Sequence, residues 1–492
     1  MYWEFDTIEY KMYILYSMKQ YQCGPNEQFK DCELAILRNA VDNAKLQESK
    51  KNANTPEIVQ MISVVESFLK KQKLICYGGT AINNILPKED RFYNLDVDVP
   101  DYDFFSMNAL EDAKKLADIY VREGFEEVEA KAGMHFGTYK VFVNFVPVAD
   151  ITQLDKVIFR ELLSDCIKVA NILYCPPNFL RMSMYLELSR PRGDTSRWEK
   201  VFTRLTLLNK HYPLKYDKCS IENFQRSFEN TENQQIQHIY DVAKKVFIDQ
   251  NVVFFGGYAS MLYSRYMTEN IRKQFSRQPD FDVLSNDPHT TCLILKERLH
   301  DEGTKQVKII KHSSVGEILP EHFEVKVNNE TIAFVYKTVA CHSYNVISIK
   351  KRKIRVATID TMLSLYLAFI YINNPYYDVD RILCMSQFLF DVQQKNRLRQ
   401  KGILRRFSIN CYGEQKTIED VRGEKSGKYK ELKGRKCKEH EKWFLKYRPY
   451  ENKGSKRSAK YCNTTKKKSK KENKSGQANK TLKNRIRSLL PI

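Results

Sequence analysis

Two glycines and two aspartates in the first quarter of the chain have the spacing of a phosphoryl-transfer site. Gly78 and Gly79 follow the apolar residues 74–77 and precede a helical pattern, so their turn can bring backbone N–H groups close to a phosphate. Asp101 and Asp103 lie two positions apart in an extended segment, which places both carboxylates on one face of a strand. Paired carboxylates beside such a turn suit divalent ions that promote phosphoryl or nucleotidyl transfer.

A third carboxylate stands at the end of an apolar strand pattern. Residues 138–151 read as one or two strands, and Asp150 is a lone acid among their last apolar residues. A buried carboxylate costs several kcal/mol unless a metal or a donor satisfies it. Taken alone, the pattern predicts either a metal ligand or a strand-end residue that is capped or salt-bridged, and it leaves both open.

These motifs together resemble the DNA-polymerase-β-like nucleotidyltransferase superfamily, which has a Gly-Gly or Gly-Ser turn, an Asp-x-Asp pair and a third Asp on a later strand. Within the superfamily, the chain is similar to the catalytic subunit of the poly(A) polymerases of large cytoplasmic DNA viruses. The segments that carry this similarity are Tyr77–Asn83, Pro100–Ser106 and Leu186–Asp194. The resemblance extends from about residue 58 to residue 418 and so covers most of the chain.

The resemblance implies template-independent addition of AMP from ATP to an RNA 3′ end. It implies that Asp101, Asp103 and Asp150 hold two Mg²⁺ or Mn²⁺ ions and that the glycine turn holds the ATP phosphates. Basic residues also stud the helical pattern of residues 178–213, and one or two of them could reach a triphosphate. The candidate nucleotide-binding residues are Gly78, Gly79, Thr80, Asn83, Arg181 and Lys200.

The implied partners are ATP and the 3′ end of mRNA, with no membrane partner. A homodimer and a separate viral processivity subunit both stay open, and the implied location is the host cytoplasm, in the viral factory, with packaging in the virion. Other users of the same core are alternatives: a CCA-adding enzyme, an oligoadenylate or cyclic-dinucleotide synthase, or an AMP-transferring toxin. An inactive RNA-binding scaffold is a further alternative, against which the complete set of three aspartates argues.

The second half of the chain repeats the first. Residues 252–260 match the opening turn, and Pro279–Ser285 matches Pro100–Ser106, including the terminal Pro and Ser. When the later match of residues 323–328 to residues 139–144 is extended without gaps, Phe334 falls opposite Asp150. This is an internal duplication. Because the second copy has an aromatic residue where the third carboxylate would be, we expect only the first copy to catalyse.

The duplication also chooses between two Asp-x-Asp pairs. Asp96 and Asp98 could rival Asp101 and Asp103 as metal ligands, but the second copy has Phe and Arg at the positions that match them. The second copy keeps aspartates, Asp280 and Asp282, at the positions that match the later pair. The earlier pair is therefore interpreted as local surface charge.

Composition predicts a folded body with a basic C-terminal end. Of the 492 residues, 42% are hydrophobic and 12% aromatic, as in globular proteins. The formal charge is +21, and residues 395–492 alone contain 32 Lys and Arg against 9 Asp and Glu. We expect this basic end to tether RNA phosphates electrostatically, whereas solubility or nuclear targeting would be the plainer explanation.

The cysteine spacing and the lengths of the apolar runs predict the cellular compartment of the protein. The 12 cysteines include no Cys-x-x-Cys pair and no zinc-like spacing, which predicts free thiols in a reducing compartment. Neither a secretory signal nor an apolar run long enough to span a bilayer is evident, so an intracellular protein is expected.

The expected architecture is α/β, with two tandem nucleotidyltransferase-like domains of which the second is degenerate. The predicted divisions are a helical lead-in at 1–57, the catalytic domain at 58–155, a helical region at 156–235, the second domain with its helices at 236–394, a basic aromatic-containing extension at 395–453 and a Lys-rich disordered tail at 454–492.

Overall fold

Two mixed sheets of eight strands each, with helices packed on them, form the part of the chain that the structure describes. The structure is a computed structural model that describes residues 28–53, 55–94, 99–219, 224, 233–275, 279–435 and 437–452. Its helices are α1 Phe29–Ala53, α2 Pro56–Gln72, α3 Gly78–Ile85, α4 Ala109–Arg122, α5 Lys156–Asp165, α6 Pro177–Leu188, α7 Trp198–His211, α8 Asn233–Asp249, α9 Gly256–Ser264, α10 Glu269–Lys273, α11 Pro288–Asp301, α12 Ile359–Phe369, α13 Val379–Lys395, α14 Ile418–Leu432 and α15 Lys438–Phe444. Its strands are β1 Ile75–Cys76, β2 Tyr102–Ser106, β3 Val128–Ala132, β4 Thr138–Val143, β5 Val146–Gln153, β6 Ile167–Val169, β7 Ile172–Tyr174, β8 Val253–Phe255, β9 Phe281–Ser285, β10 Val307–His312, β11 His322–Val327, β12 Glu330–Lys337, β13 His342–Ile349, β14 Arg352–Ala357, β15 Cys411–Tyr412 and β16 Lys446–Tyr447.

The two sheets share one topology. Seven strands of the first sheet run in the order β3-β4-β5-β2-β1-β7-β6, and seven of the second in the order β10-β11-β12-β9-β8-β14-β13. The pairings also agree in direction, because β2–β5 and β9–β12 are parallel whereas β1–β2 and β8–β9 are antiparallel. The predicted α/β fold and its internal duplication are therefore confirmed.

The local sequence determines where helix α2 begins and which of its faces is buried. Thr55 caps its N-terminus by accepting a hydrogen bond from the backbone N–H of Ile58 at 3.4 Å, and proline occupies its first turn. Its buried side chains follow a helical period and pack on the first sheet; they are Met61, Val65, Phe68 and Leu69. The helix ends at Gln72, Lys73 caps it in the left-handed conformation, and the short strand β1 leads directly into the glycine turn.

The two copies meet through corresponding helices. Helix α6 packs on α12, whose sequence echoes it, and each of the two also packs on the helix that follows it, α7 or α13. Every residue of α12 is buried, as expected of a central helix, and its one charged residue, Asp360, pairs with Arg406 at 2.7 Å. At the same interface the backbone N–H of Ser343 donates to the carbonyl of Ser189 at 2.9 Å.

The extension after residue 395 connects both sheets. Strand β15 pairs with β13 at the edge of the second sheet, and β16 pairs with β3 at the edge of the first. The Tyr139 hydroxyl donates to the carbonyl of Lys442 at 3.1 Å, and that of Tyr450 donates to the carbonyl of Phe125 at 2.7 Å. The extension is thus a strap that packs on the first sheet.

The sequence predicted that residues 156–235 form a helical region, but the structure shows that they are not wholly helical. They contain the β6–β7 hairpin, whose β7 pairs with β1, so the first sheet continues past residue 155. Ala170 and Asn171 both have positive φ, and the hairpin turns on this pair. Residues 1–27 of the predicted lead-in and the predicted tail at 454–492 lie outside the described residues.

The expectation of free thiols is wrong for at least six of the cysteines, because Cys32 and Cys437 are disulfide-bonded in addition to the four cysteines of two described pairs. Disulfides join Cys219 to Cys384 and Cys341 to Cys411, across sequence separations of 165 and 70. Pairs this far apart leave no local spacing signal, because the tertiary fold alone brings them together. No helix in the described part of the chain is long and apolar enough to cross a membrane.

Candidate active site

The glycine turn is a point of close approach between backbone and side chains. Gly78 has φ +74° and begins α3. A Cβ on Gly78 would lie 2.7 Å from Asp103 Oδ2, and a Cβ on Gly79 would lie 2.8 Å from Arg204 Nη1 and close to the Tyr93 hydroxyl. Any larger residue would collide with these groups, so the two glycines let a carboxylate and a guanidinium reach the turn.

The strand register brings two of the predicted carboxylates side by side. Strands β2 and β5 are parallel neighbours in which Asp103 is paired with Asp150, so both side chains lie on the same face. Asp101 precedes β2 and follows the same alternation. Its carbonyl accepts a hydrogen bond from Thr80 Oγ1 at 2.7 Å, and the Tyr77 N–H donates to the carbonyl of Asp103 at 2.9 Å. The turn and the carboxylate segment are thus tied together through their backbones.

Burial and neighbouring carboxylates raise the pKa of two aspartates in this cluster. Burial, and then the charges of Asp101 and Asp150, raise the pKa of Asp103 to about 7, while Lys140 and Arg197 oppose the shift. Burial and then the charge of Asp150 raise the pKa of Asp101, again against Lys140. Burial and like charge therefore both favour the protonated forms of Asp101 and Asp103.

A lysine that the motif analysis did not single out contacts the third carboxylate. Lys140 is the cross-strand partner of Asp150 on β4, and its Nζ donates to Asp150 Oδ2. The other oxygen, Asp150 Oδ1, is buried and has no hydrogen-bond partner. The alternation of side chains along β4 shows which face of the strand carries Lys140. The sequence does not show that β4 pairs with β5, and this pairing is what places Lys140 opposite Asp150.

The donor set fits divalent ions, although the carboxylates do not enclose one as they stand. Within the described residues, no three acidic, His or Cys side chains are close enough to form a metal-binding group. Asp150 Oδ1 is buried without a hydrogen-bond partner, and two neighbouring carboxylates contribute, after burial, to the raised pKa of Asp103, so a cation bound here would satisfy both groups. Carboxylate oxygens are the ligands that Mg²⁺ and Mn²⁺ prefer.

A basic face at the start of α7 lies beside the turn. Arg197, Lys200 and Arg204 recur at helical spacing on one side of the helix, and Arg204 Nη2 donates to the Tyr93 hydroxyl at 2.8 Å. The charge of Arg204, then burial and the charge of Arg197, lower the pKa of Lys200, which indicates that the three cations are crowded. Arg197 is held by Glu187, with an N–O separation of 3.3 Å.

The two predicted basic contacts to the triphosphate differ in their surroundings. Lys200 is exposed on the basic face of α7. Arg181 is 1% exposed; its Nε donates to Asn209 Oδ1 at 2.7 Å, and its other nitrogens donate to Asn178 and to the carbonyl of Tyr212. Its guanidinium therefore links α6 to the end of α7, and its burial keeps it from reaching a triphosphate. Arg204, which the sequence placed only among several helix arginines, has the position that was expected of Arg181.

Two further predicted residues, Asn83 and Thr80, hold neighbouring backbone segments in place at the glycine turn. Asn83 is 2% exposed, and its Oδ1 accepts from the backbone N–H groups of Phe92 and Tyr93 at 3.0 and 2.9 Å. It thereby fixes the segment that presents Tyr93 to Arg204. The hydroxyl of Thr80 is engaged with the carbonyl of Asp101, as described above, so both polar side chains position neighbours.

The second copy keeps the geometry of the turn but pairs one of its two carboxylates with an arginine. Gly256 has φ +66° beneath Asp282, and Asp282 is paired with Phe334 in the register that Asp103 and Asp150 have in the first copy. Asp280 is fully buried, and Arg381 Nη2 lies 3.1 Å from its Oδ1. Arg381 is the third residue of α13, as Lys200 is of α7. The gap-free extension of the repeat therefore placed Phe334 correctly.

The structure does not describe the earlier Asp-x-Asp pair. Asp96 and Asp98 lie outside the described residues, as does Arg277, which matches Asp98 in the second copy. Their interpretation as surface charge therefore stays a prediction.

Comparison with known proteins supports the resemblance that the motifs indicated. Residues 63–194 match the family model described as poly(A) polymerase catalytic subunit. A protein named "Putative poly(A) polymerase catalytic subunit" from African swine fever virus (strain Badajoz 1971 Vero-adapted) is 34% identical over 180 residues, which are 35% of this chain and 38% of that protein. A protein of the same name from Acanthamoeba polyphaga mimivirus is 29% identical over 196 residues, which are 39% of this chain and 32% of that protein.

The structural comparison extends the likeness of fold to most of the chain. The crystal structure of the Megavirus polyadenylate synthase has a TM-score of 0.73 to this structure and 19% sequence identity, and the match covers 88% of both chains. The sequence matches, by contrast, span well under half of the length of each curated relative. The resemblance to viral poly(A) polymerase catalytic subunits is thus confirmed over residues 63–194, and the likeness of fold extends well beyond them.

Proposed function

We propose that this chain is a template-independent polynucleotide adenylyltransferase that adds AMP from ATP to RNA 3′ ends. One observation carries the proposal: Asp103 and Asp150 are in register on adjacent parallel strands, beside Asp101, at a glycine turn that also receives Arg204. Similarity to viral poly(A) polymerase catalytic subunits over residues 63–194 supports the choice of reaction.

The three aspartates are the residues that would hold the Mg²⁺ or Mn²⁺ ions. When bound, such ions lower the pKa of an attacking hydroxyl and neutralise charge on the phosphates and on the departing pyrophosphate. The chain fits them because Asp150 has an unpartnered buried oxygen and because burial, and then two neighbouring carboxylates, raise the pKa of Asp103.

The chain's own groups account for binding and orientation of the triphosphate. The N–H groups at the start of α3 and the dipole of that helix attract phosphate oxygens at the glycine turn. The basic face of α7 lies on the other side of the same turn, where Arg204 approaches Gly79 and Lys200 is exposed. Cations aligned before the substrate arrives stabilise charge that develops in the transition state.

The proposed biological setting is polyadenylation of viral mRNA in the host cytoplasm, with the enzyme also packaged in the virion. The viral origin of the relatives supports this setting. Mass spectrometry of purified particles should find the protein, and its absence there would remove virion packaging from the proposal. Size measurement of the purified chain tests the homodimer, and its processivity when alone tests the need for a separate processivity subunit.

Supplying labelled ATP, CTP, GTP and UTP one at a time with an oligo(U)-containing primer tests the activity. We expect label from ATP alone to enter long products that keep the primer. Incorporation of both CTP and ATP in short additions would indicate a CCA-adding enzyme, and small soluble adenylates would indicate an oligoadenylate or cyclic-dinucleotide synthase. AMP attached to protein would indicate a toxin, and no transfer would favour the scaffold.

A further inference from the structure

A row of lysines crosses one face of the first sheet and ends at the carboxylates. The strand register pairs Lys446 of β16 with Lys131 of β3, and Lys131 with Lys140 of β4. Lys140 is paired with Asp150 of β5, which is paired with Asp103 of β2. Because paired residues of neighbouring strands lie on the same face of a sheet, the three lysines form one line that leads to the two aspartates.

Solvent reaches this lysine row. Buried and half-buried residues alternate along β4, and Lys140 belongs to the half-buried set, with 37% of its side chain exposed. Lys131 is 44% exposed, although its Nζ lies 3.9 Å from the centre of the Phe142 ring on the same face, and Lys446 is exposed. The other face of these strands is buried beneath α4. The lysine row is therefore an open surface that continues outward from the candidate active site.

Acidic side chains balance part of the charge of the lysine row. Glu129 lies 3.7 Å from the Nζ of Lys131, and it also contacts Arg448 at 3.3 Å; Arg448 has a second acidic partner, Glu451, at 3.2 Å. Lys446 makes no ion pair with any residue that the structure describes. Like charges at paired positions of neighbouring strands lower the stability of a sheet. The lysine row thus costs stability that a bound polyanion would restore.

The degenerate copy keeps the register of this row but not its cations. In the second sheet Ile310 is paired with Glu324, and Glu324 with Phe334, which lies beside Asp282. Glu324 thus stands in the place of one lysine, and Ile310 in the place of another. Within the described residues, no strand continues the second sheet beyond β10, whereas β16 continues the first beyond β3. The lysine row therefore belongs to the copy that is expected to catalyse.

The lysine row approaches the aspartates from the side opposite the glycine turn. In the strand order of the first sheet, β1, which leads into the turn, lies on one side of β2, and β5, β4, β3 and β16 lie on the other. In phosphoryl transfer the attacking and leaving oxygens lie roughly in line on opposite sides of the phosphorus. With the triphosphate held at the glycine turn, as proposed above, the attacking hydroxyl comes from the side of the lysines.

The basic end of the chain begins at the outer end of the lysine row. Strand β16, Lys446–Tyr447, is the last strand of the described residues. Residues 453–492 follow it closely in sequence, and Glu472 is the one acid among their many lysines and arginines. The segment that the sequence predicts to tether RNA is therefore attached where the lysine row starts.

We propose that Lys446, Lys131 and Lys140 bind the backbone phosphates of single-stranded RNA and guide its 3′ end to Asp150. The proposal rests on the proposed adenylyltransferase function and adds the path that the primer takes. Four inter-strand steps separate Lys446 from Asp103, about 19 Å, so the lysine row serves more than one nucleotide. Contacts to phosphates carry no sequence information, so primers of different sequence should use the same path.

Primer binding by full-length variants tests the lysine row without catalysis. Fluorescence anisotropy with a labelled ten-nucleotide oligo(U) in EDTA gives the Kd over a salt series. Lys131→Ala and Lys446→Ala should each raise the Kd at least about threefold at low salt and reduce the slope of log affinity against log salt by about 0.7, because one phosphate contact is lost. Lys131→Arg and Lys446→Arg keep the charge and should bind as the wild type does.

Lys308→Glu is the matched control, because Lys308 is an exposed lysine on β10, the outer strand of the second sheet. It should change the Kd less than about twofold, whereas Lys131→Glu should raise it at least about tenfold. Unchanged binding in the Lys131 and Lys446 variants would make the row a solvated surface and overturn the proposal. An equal loss in Lys308→Glu would overturn it as well, since RNA would then respond to overall charge alone.

Photocrosslinking locates the RNA directly. A ten-nucleotide oligo(A) with one 4-thiouridine, placed third or sixth from the 3′ end, is irradiated with the full-length protein in EDTA, and the crosslinked peptides are identified by mass spectrometry. Label should lie on residues 128–143 and 443–452, and moving the 4-thiouridine away from the 3′ end should shift it toward residues 443–452. Label on α7 or on the second copy in place of these segments would contradict the path.

Steady-state kinetics separates this proposal from the proposed function. Lys131→Ala and Lys446→Ala should raise the KM for primer with little change in kcat or in the KM for ATP. If AMP addition is observed with an unchanged KM for primer, the lysine row fails while the activity stands. If no nucleotide is ever transferred but the crosslinks and the salt effects appear, the activity fails while the RNA path stands.

Discussion

At the scale of single residues, the first copy is distinguished by acids that repel one another. Asp103 is the centre of this effect, since its pKa is raised by burial and by two neighbouring carboxylates. Asp282 has no acid beside it in the matching register, because Phe334 is there. The difference between the two copies therefore comes down to which side chain is opposite one aspartate.

Substitution of the three aspartates should abolish nucleotide addition. Asp101→Ala, Asp103→Ala or Asp150→Ala should each lower the rate of AMP addition at least about 100-fold, because the metal-holding oxygens are lost. Asp282→Asn should cost less than about tenfold, and Asp96→Asn and Asp98→Asn should retain most activity. Single-turnover rates with a primer measure this, and equal losses at Asp96 and Asp101 would show that the wrong pair had been chosen.

The raised pKa of Asp103 also predicts how stability depends on pH. The carboxyl has a pKa of about 3.9 in an unfolded chain and about 7 in the fold, so the folded state binds its proton more tightly. Folding is therefore favoured by this group below about pH 4, and that stabilisation is lost progressively as pH rises to about 7.

Thermal unfolding in EDTA measures this loss. The melting temperature of the wild type should fall between pH 5 and pH 7.5 relative to that of Asp103→Asn, which cannot ionise at this position. Mn²⁺ should restore part of the wild-type stability at pH 7.5. Identical pH profiles for the two proteins would contradict the raised pKa.

At the scale of elements, α7 supplies the cations and α6 supports it. Arg204→Ala should raise the KM for ATP about tenfold with little change in stability, since one charge-assisted contact is lost. Arg181→Ala should instead lower the free energy of unfolding by about 2 kcal/mol, because it leaves buried acceptors unpaired, and should change the KM little. Steady-state kinetics and denaturant unfolding of both variants separate the two roles, and a larger rise in KM for Arg181→Ala would reverse the assignment.

Sequence periodicity and the internal repeat predicted much at this scale. The repeat placed Phe334 beside Asp282 before any strand pairing was known, because gap-free strands keep their register. It could not predict that Lys140 neutralises Asp150, since this contact depends on which strands are neighbours. The β6–β7 hairpin was missed because its turn, Ala170-Asn171, lacks the glycine that usually indicates such a turn.

At the scale of the whole molecule, long-range contacts join what the sequence suggested were separate parts. The extension after residue 395 adds a strand to each sheet, and Lys114 pairs with Glu441 at 3.0 Å across more than 300 residues. Neither this strap nor the disulfides have a local signature, so composition indicated only a basic, aromatic segment.

The Lys-rich tail beyond the strap should govern RNA affinity rather than chemistry. Deleting residues 454–492 removes a dense group of cations and none of the proposed catalytic residues. Weaker primer binding and a shallower dependence of log affinity on log salt should follow, because fewer counterions are released. Fluorescence anisotropy over a salt series measures both, with addition rates at saturating primer as the control. An unchanged salt slope would make the tail a targeting or solubility element.

The location of bound metal tests the central claim most directly, because the claim is that only one of two copies with the same fold holds the reacting centre. Crystals soaked with Mn²⁺ and a non-hydrolysable ATP analogue would show metal by anomalous scattering. We predict metal peaks beside Asp103 and Asp150, with the triphosphate between the glycine turn and Arg204, and none beside Asp282. Equal metal density beside Asp282, or none beside Asp103 in a protein that adds AMP, would contradict the claim.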